Sequence, residues 1–172
     1  PAENLLGELG DGFRIAMGTL VSGRLSVAAG CLGVIEDCLA EAVEYAKLRV
    51  QHGKEIGRHQ LVQEHIALIE LDRVAAESLV LRAVDMKARS EANPGNKDLA
   101  RQADLLAAQA KFFATNAAWN AADRTVQVWG GKGWSPLYRP ARHLMDVRVC
   151  RIYEGTDEIL KLKIAAAVLG KE

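Results

Sequence analysis

Aromatic residues make up only 5% of this 172-residue chain, which carries four prolines and three cysteines. That scarcity, beside abundant alanine and leucine, disfavours a sheet and favours helices. Cys31, Cys38 and Cys150 form no disulfide framework. On one helix Cys31 and Cys38 would stand about 10 Å apart, beyond disulfide reach, so a reducing compartment is the simpler setting. An excess of either charge is also missing: Lys+Arg and Asp+Glu are 22 each, a formal net charge of +0. That balance argues against nucleic-acid binding. The longest uncharged apolar run, residues 25–35, falls short of the ~20 residues that span a bilayer. No basic-then-apolar leader opens the chain, and a start at Pro1 rather than Met suggests a piece of something longer. What is present is 49% hydrophobic and 26% charged residues, which excludes disorder. One domain of this length buries roughly 70% of its unfolded surface without staples.

Residues 1–12, with three glycines, read as a lead-in loop. Leu20, Val27, Cys31, Ile35, Cys38, Ala42 and Tyr45 fall on one stripe and predict a first helix over about 12–49. It tolerates Gly18, Gly23, Gly30 and Gly33, each costing about 1 kcal/mol against alanine. Such glycines suggest a close backbone or ligand, though close helix packing explains them equally well. The run Gln51–His52–Gly53–Lys54–Glu55–Ile56–Gly57 breaks the pattern. Val62, Ile66, Ile69, Ala76, Val80 and Ala83 then mark a second helix ending near residue 90, and Asn93–Pro94–Gly95–Asn96 is a turn. Leu99, Ala103, Leu106, Ala110, Phe113, Ala117 and Val128 mark a third helix that stops at Gly130–Gly131. A short helix fits 139–147, with Pro140 in its first turn. The last helix starts near Thr156 as cap, with Asp157 and Glu158 at its positive end. No strand-like alternation or repeat stands out. The expected fold is all-α: an antiparallel up-and-down four-helix bundle of three long helices, a short helix and a C-terminal helix.

Three residues fit a plain bundle poorly. Arg24 and Arg49 share the apolar stripe of the first helix, about 37 Å apart. A guanidinium there must snorkel to water or find a partner, and the two cannot share one small group. Glu154 precedes Gly155–Thr156 and the last helix, whose positive end favours a charged carboxylate, the usual role being a cap. The segment Gln127–Val128–Trp129–Gly130–Gly131–Lys132–Gly133 could approach a phosphate or act only as a helix stop, and lacks P-loop spacing. His52, His59, His65 and His143 have no metal-ligand spacing, and no metal is expected.

These residues coincide with motifs of the acyl-CoA dehydrogenase family. Glu3–Asn4–Leu5–Leu6–Gly7 through Gly10–Asp11–Gly12–Phe13 resembles the passage into that family's C-terminal helical domain. Gly23–Arg24 with Ala28–Ala29–Gly30 looks like the start of its first long helix. Tyr45–Ala46 to Gly53–Lys54, with Ile56 and Gln60, is similar to its Tyr-Ala-x-x-Arg-x-x-Phe-Gly-Lys signature, with His52 at the phenylalanine. Gln127 to Gly133 resembles its Gln-x-x-Gly-Gly-x-Gly segment, and Arg151 to Thr156 its Tyr-Glu-Gly-Thr motif. Glu158 stands where several members carry glutamine.

The resemblance implies residues 1–12 leading from an upstream domain, and 13–172 forming the C-terminal bundle of an FAD enzyme. It implies α,β-dehydrogenation of an acyl-CoA thioester, with Glu154 as the catalytic base and hydride passing to flavin. Arg24 and Gly155 match substrate-side positions. Some relatives carry the base beside this arginine on the first helix, where this chain has Gly23. Arg49, Gln51, His52, Gln60, Gln127, Gly130 and Gly131 match contacts to the FAD of a neighbouring subunit, and Thr156 and Glu158 match flavin contacts beside the base. Dimers or tetramers sharing FAD follow, with electron-transfer flavoprotein as acceptor and no membrane or nucleic-acid partner. The compartment would be bacterial cytoplasm or mitochondrial matrix. Without the family's N-terminal helical and middle β domains, this chain alone is expected to be inactive. An acyl-CoA oxidase or other flavin enzyme on the same scaffold, or a non-catalytic oligomerisation module, are the alternatives.

Overall fold

The computed structural model describes residues 2–170. Pro1, Lys171 and Glu172, the outer ends of the two expected segments, lie outside the described residues. Five α-helices follow one another among those described: α1 (Gly12–Leu48), α2 (Gln60–Glu91), α3 (Lys97–Trp129), α4 (Arg139–Cys150) and α5 (Asp157–Leu169). The three long helices, the short helix and the C-terminal helix match the expected all-α architecture. Asn96 caps α3 by accepting from the Asp98 and Leu99 amides. The Thr156 hydroxyl caps α5 at the Ile159 amide, as the sequence predicts.

Side-chain contacts fix the directions. Arg24 meets Asp104, Thr125 reaches the Cys38 carbonyl, and Trp129 donates to the Glu41 carbonyl. The numbers rise together, so α1 and α3 run parallel, with α2 returning between them. Arg139 binds Glu41 and His143 binds Asp37, so α4 runs against α1. Asn116 meets Asp157 and Lys163 meets Asp104, so α5 runs against α3. Thus α4 and α5 share one direction. Together they form the fourth arm of the bundle, broken at residues 151–156.

The core is narrow. Ala28, Ala42, Ala76, Ala83, Ala107, Ala110, Ala114, Ala118 and Ala121 are fully buried, filled out by Ile35, Cys38 and Ile69. Small side chains let helix axes approach to the short end of the usual ~8–10 Å. By length and composition α1 could cross a membrane, although its longest uncharged stretch could not. Here its buried face, Leu25 through Ala46, packs into the bundle instead.

Two details depart from the sequence reading. The break after α1 contains a small antiparallel hairpin, β1 (Val50–Gln51) paired with β2 (Lys54–Glu55). His52 and Gly53 form its two-residue loop with φ of 52° and 75°, the signature of a type I′ turn. Strands of two residues are too short to show alternation. Helix α1 ends at Leu48, and Arg49 turns extended as its cap rather than continuing the stripe. Its side chain is exposed, so it needs no buried partner.

Candidate active site

A broken arm inside a bundle releases backbone carbonyls that must still find donors. At residues 151–156 buried cations from two other helices supply them. The Arg24 guanidinium donates through Nε to the Glu154 carbonyl at 3.2 Å and through Nη1 to Asp104 at 2.8 Å. The Lys111 ammonium donates to the Gly155 carbonyl at 2.8 Å. Lys163 also binds Asp104. Below the break, Asp157 is 2% exposed and accepts from Arg151 and Asn116.

This lattice holds an uncommon backbone. Glu154 has φ of 55° and Gly155 of 97°. The left-handed region costs a residue other than glycine on the order of 1–3 kcal/mol, sustained only where surroundings over-determine it. The result presses the Glu154 carboxylate onto α1 at Gly23. A Cβ placed on Gly23 would stand 2.5 Å from Oε2 and 2.7 Å from Oε1. Of the four interior glycines, Gly18, Gly30 and Gly33 face open space. Only Gly23 makes the close approach that the sequence anticipates. Glu154 Oε2 is buried with no hydrogen-bond partner among the described residues. A buried carboxylate oxygen left without a donor is costly for stability, and such sites are often functional.

Arg24, Glu154 and Gly155 therefore meet at one place. Thr156 and Glu158 line a small adjoining cleft of about 100 Å³ with Arg148, Arg151, Ile152 and Asp157. Hydrogen bonds from its own amide and from the Thr156 hydroxyl hold the Glu158 carboxyl below its usual range.

The other residues of interest gather at the far end of α1. Arg49, Gln51, Gly130 and Gly131 line a cleft of about 300 Å³ with Tyr45, Ile56, Val128, Trp129 and Lys132. Tyr45 and Trp129 stack at 4.4 Å between centroids. Gly130, with φ of 62° and ψ of −142°, turns the chain out of α3 in a conformation suited only to glycine. Gly133 is equally constrained, since a Cβ there would lie 2.7 Å from the Val126 carbonyl oxygen. His52 at the hairpin tip, Gln60 at the start of α2 and Gln127 in the last turn of α3 are exposed and stand outside this lining.

Asp104, Lys111 and Asn116 escape a reading by apolar spacing, and Asp157 is read from the sequence only as a charge at a helix end. One signal was present: Lys111 falls on the stripe of buried alanines Ala107, Ala114 and Ala118, where a charge demands a partner. Among the described residues no cluster of His, Cys, Asp or Glu could hold a metal.

These elements define an all-helical domain with a carboxylate on a pinned backbone at an interrupted arm and a basic, glycine-edged cleft at the other end. The chain belongs to the acyl-CoA dehydrogenase family: residues 10–169 match the model of Acyl-CoA dehydrogenase, C-terminal domain. A short-chain specific acyl-CoA dehydrogenase of Megasphaera elsdenii is 42% identical over 169 residues, covering 98% of this chain and 42% of the relative. The mitochondrial very long-chain specific acyl-CoA dehydrogenase of Rattus norvegicus is 36% identical over 165 residues, covering 96% of this chain and 24% of the relative. The structure of an acyl-CoA dehydrogenase complexed with FAD from Bacillus anthracis superposes with a TM-score of 0.91 at 30% identity, covering 99% of this chain and 31% of that one. The chain thus spans less than half the length of these relatives.

Proposed function

We propose that this chain is the base-bearing C-terminal domain of an enzyme that dehydrogenates an acyl-CoA thioester between its α and β carbons. The carrying observation is the Glu154 carboxylate, fixed by a pinned, left-handed backbone with one buried oxygen unpartnered. A general base needs reach, orientation and shelter from water. Arg24 and Lys111 anchor the Glu154 and Gly155 carbonyls, so the side chain departs from a fixed root. Gly23 leaves the space its carboxylate occupies. In this reading Glu154 takes the α-proton, with Arg24 and Gly155 lining the substrate side.

The family implies FAD, and the far cleft suits a diphosphate. It gathers the cations Arg49 and Lys132 beside the bare backbone of Gly130 and Gly131. Arg49, Gln51, His52, Gln60, Gln127, Gly130 and Gly131 would hold the FAD of a neighbouring subunit, and Thr156 and Glu158 the flavin beside the base. When bound, FAD supplies the acceptor for the β-hydrogen as hydride. A dimer or tetramer is supported by the outward face of α2, where Leu71, Val74, Leu81 and Val84 are exposed at helical spacing. Electron-transfer flavoprotein is the acceptor that the family resemblance favours.

Anaerobic titration, with acyl-CoA thioesters, of the flavin-loaded full-length enzyme that carries this domain tests this reading. Loss of flavin absorbance with formation of the 2-enoyl thioester is expected. Unchanged absorbance with every chain length would overturn it. Arg49→Ala should lose about 2–3 kcal/mol of FAD binding, the worth of one charge-assisted contact. Flavin retained through dilution and gel filtration, with a lower melting temperature, would make Arg49 structural.

Gly23→Ala separates stability from activity. Alanine is favoured over glycine in a helix interior by about 1 kcal/mol, while the new Cβ displaces the Glu154 carboxylate at the far end of its side chain. The melting temperature should hold or rise as turnover falls at least ~10-fold, since small misplacements of a reacting group carry such costs. Turnover equal to wild type would show that the carboxylate need not lie against α1.

A further inference from the structure

We propose that Lys111 is a positioning residue for the base: its ammonium, bound to the Gly155 carbonyl, fixes the left-handed Glu154–Gly155 pair and so aims the Glu154 carboxylate. This inference rests on the reading of Glu154 as base and adds a residue that lies outside the family motifs.

Lys111 is 0% exposed, the largest fully buried side chain among the described residues. Lysine is almost never buried unless paired. Yet its ammonium has no carboxylate partner within salt-bridge distance among the described residues, and its hydrogen bond goes to a backbone carbonyl, that of Gly155. Burial pushes the ammonium below the usual lysine range, opposed by Asp157, Cys150 and Cys31 and reinforced by Arg24. A purely structural bundle would place an alanine on this stripe, as it does at Ala107, Ala114 and Ala118. Arg24 cannot do the work alone, because its bond is to the carbonyl one residue earlier. The Glu154 carbonyl lies in the Glu154–Gly155 peptide plane and the Gly155 carbonyl in the Gly155–Thr156 plane, so cations from α1 and α3 hold two successive planes and with them the turn at Gly155. With the plane after Gly155 held by Lys111, the plane before it, which adjoins the Glu154 Cα and sets how its side chain leaves the backbone, cannot counter-rotate. With Lys111 removed, the Gly155 carbonyl is free to rotate and Glu154 can relax from φ of 55° toward the ordinary right-handed region.

The test uses Lys111→Met and Lys111→Arg in the flavin-loaded enzyme. An acyl-CoA thioester with sulfur in place of the β-methylene can lose an α-proton but has no β-hydrogen to give. Exchange of its α-protons with D2O therefore reads proton abstraction alone. Lys111→Met should slow exchange at least ~30-fold and lower kcat to a similar degree, with KM changed less than ~3-fold. Backbone amide exchange across residues 153–157 should rise at least ~10-fold, while α1 and α3 keep their protection. Lys111→Arg, which keeps a donor but displaces it with a larger head, should slow exchange only ~3–10-fold. Wild-type α-proton exchange in Lys111→Met overturns the proposal. Should that variant not fold, Lys111→Arg decides: exchange slowed ~3–10-fold supports positioning, and an unchanged rate contradicts it. Glu154→Gln in the same assay keeps the two readings apart. Normal exchange there removes the base assignment itself, whatever Lys111 does.

Discussion

Glu154→Gln in the flavin-loaded enzyme should lower dehydrogenation at least ~100-fold while leaving flavin bound and the melting temperature nearly unchanged. The substitution keeps the shape of the side chain and removes its basicity, and a positioned general base contributes ~10²–10⁴ to rate. Flavin occupancy should survive because glutamine keeps the bulk of the side chain beside the flavin, and the cations and bare backbone that suit the diphosphate, at Arg49, Gly130 and Gly131, lie at the other end of α1 from Gly23. The fold should survive because Glu154 Oε2 has no partner among the described residues to lose. A steady-state assay with an artificial acceptor, beside a thermal melt, gives both numbers. Near-normal turnover would place the base elsewhere.

The second large effect is on the arginine that roots this carboxylate. Arg24→Met should destabilise the protein by about 2–4 kcal/mol and reduce turnover further than stability alone explains. Its side chain is only 8% exposed, and it serves both the Glu154 carbonyl and Asp104. Truncation leaves a buried carbonyl without its donor and a carboxylate with one cation fewer. Lys163 still binds Asp104, which keeps the loss below that of a wholly orphaned buried charge. Denaturant unfolding measures the stability change. Kinetics well below the melting transition isolate the catalytic one. A variant as stable and active as wild type would mean that Glu154 holds its position without this anchor.

Arg24 was legible in the sequence because a guanidinium on a stripe of Val27, Cys31 and Ile35 conflicts with burial unless it is paired. Its partners were not legible. Asp104 lies on a helix read through its alanines, and the Glu154 carbonyl is a backbone group that no residue type announces. Arg49 looked like a second such conflict because the apolar period was extended one residue too far. The tight turn at His52–Gly53 ends the helix first and turns Arg49 to solvent. Thr156 was readable as a cap, since a hydroxyl before Asp157 and Glu158 is a local signal. The break between α4 and α5 was visible only as a gap between two helices. That both halves run the same way, as one interrupted arm, depends on contacts to α1 and α3 far away in sequence. So does the approach of Glu154 to Gly23, across 131 positions of chain.

A crystal structure of the flavin-loaded enzyme with a bound, non-reacting acyl-CoA analogue measures the central claim most directly. One Glu154 carboxylate oxygen is expected within about 3.5 Å of the α-carbon, with the Arg24 and Lys111 bonds to the Glu154 and Gly155 carbonyls intact. Another side chain at that carbon, with Glu154 beyond about 6 Å and out of proton-transfer reach, would contradict it.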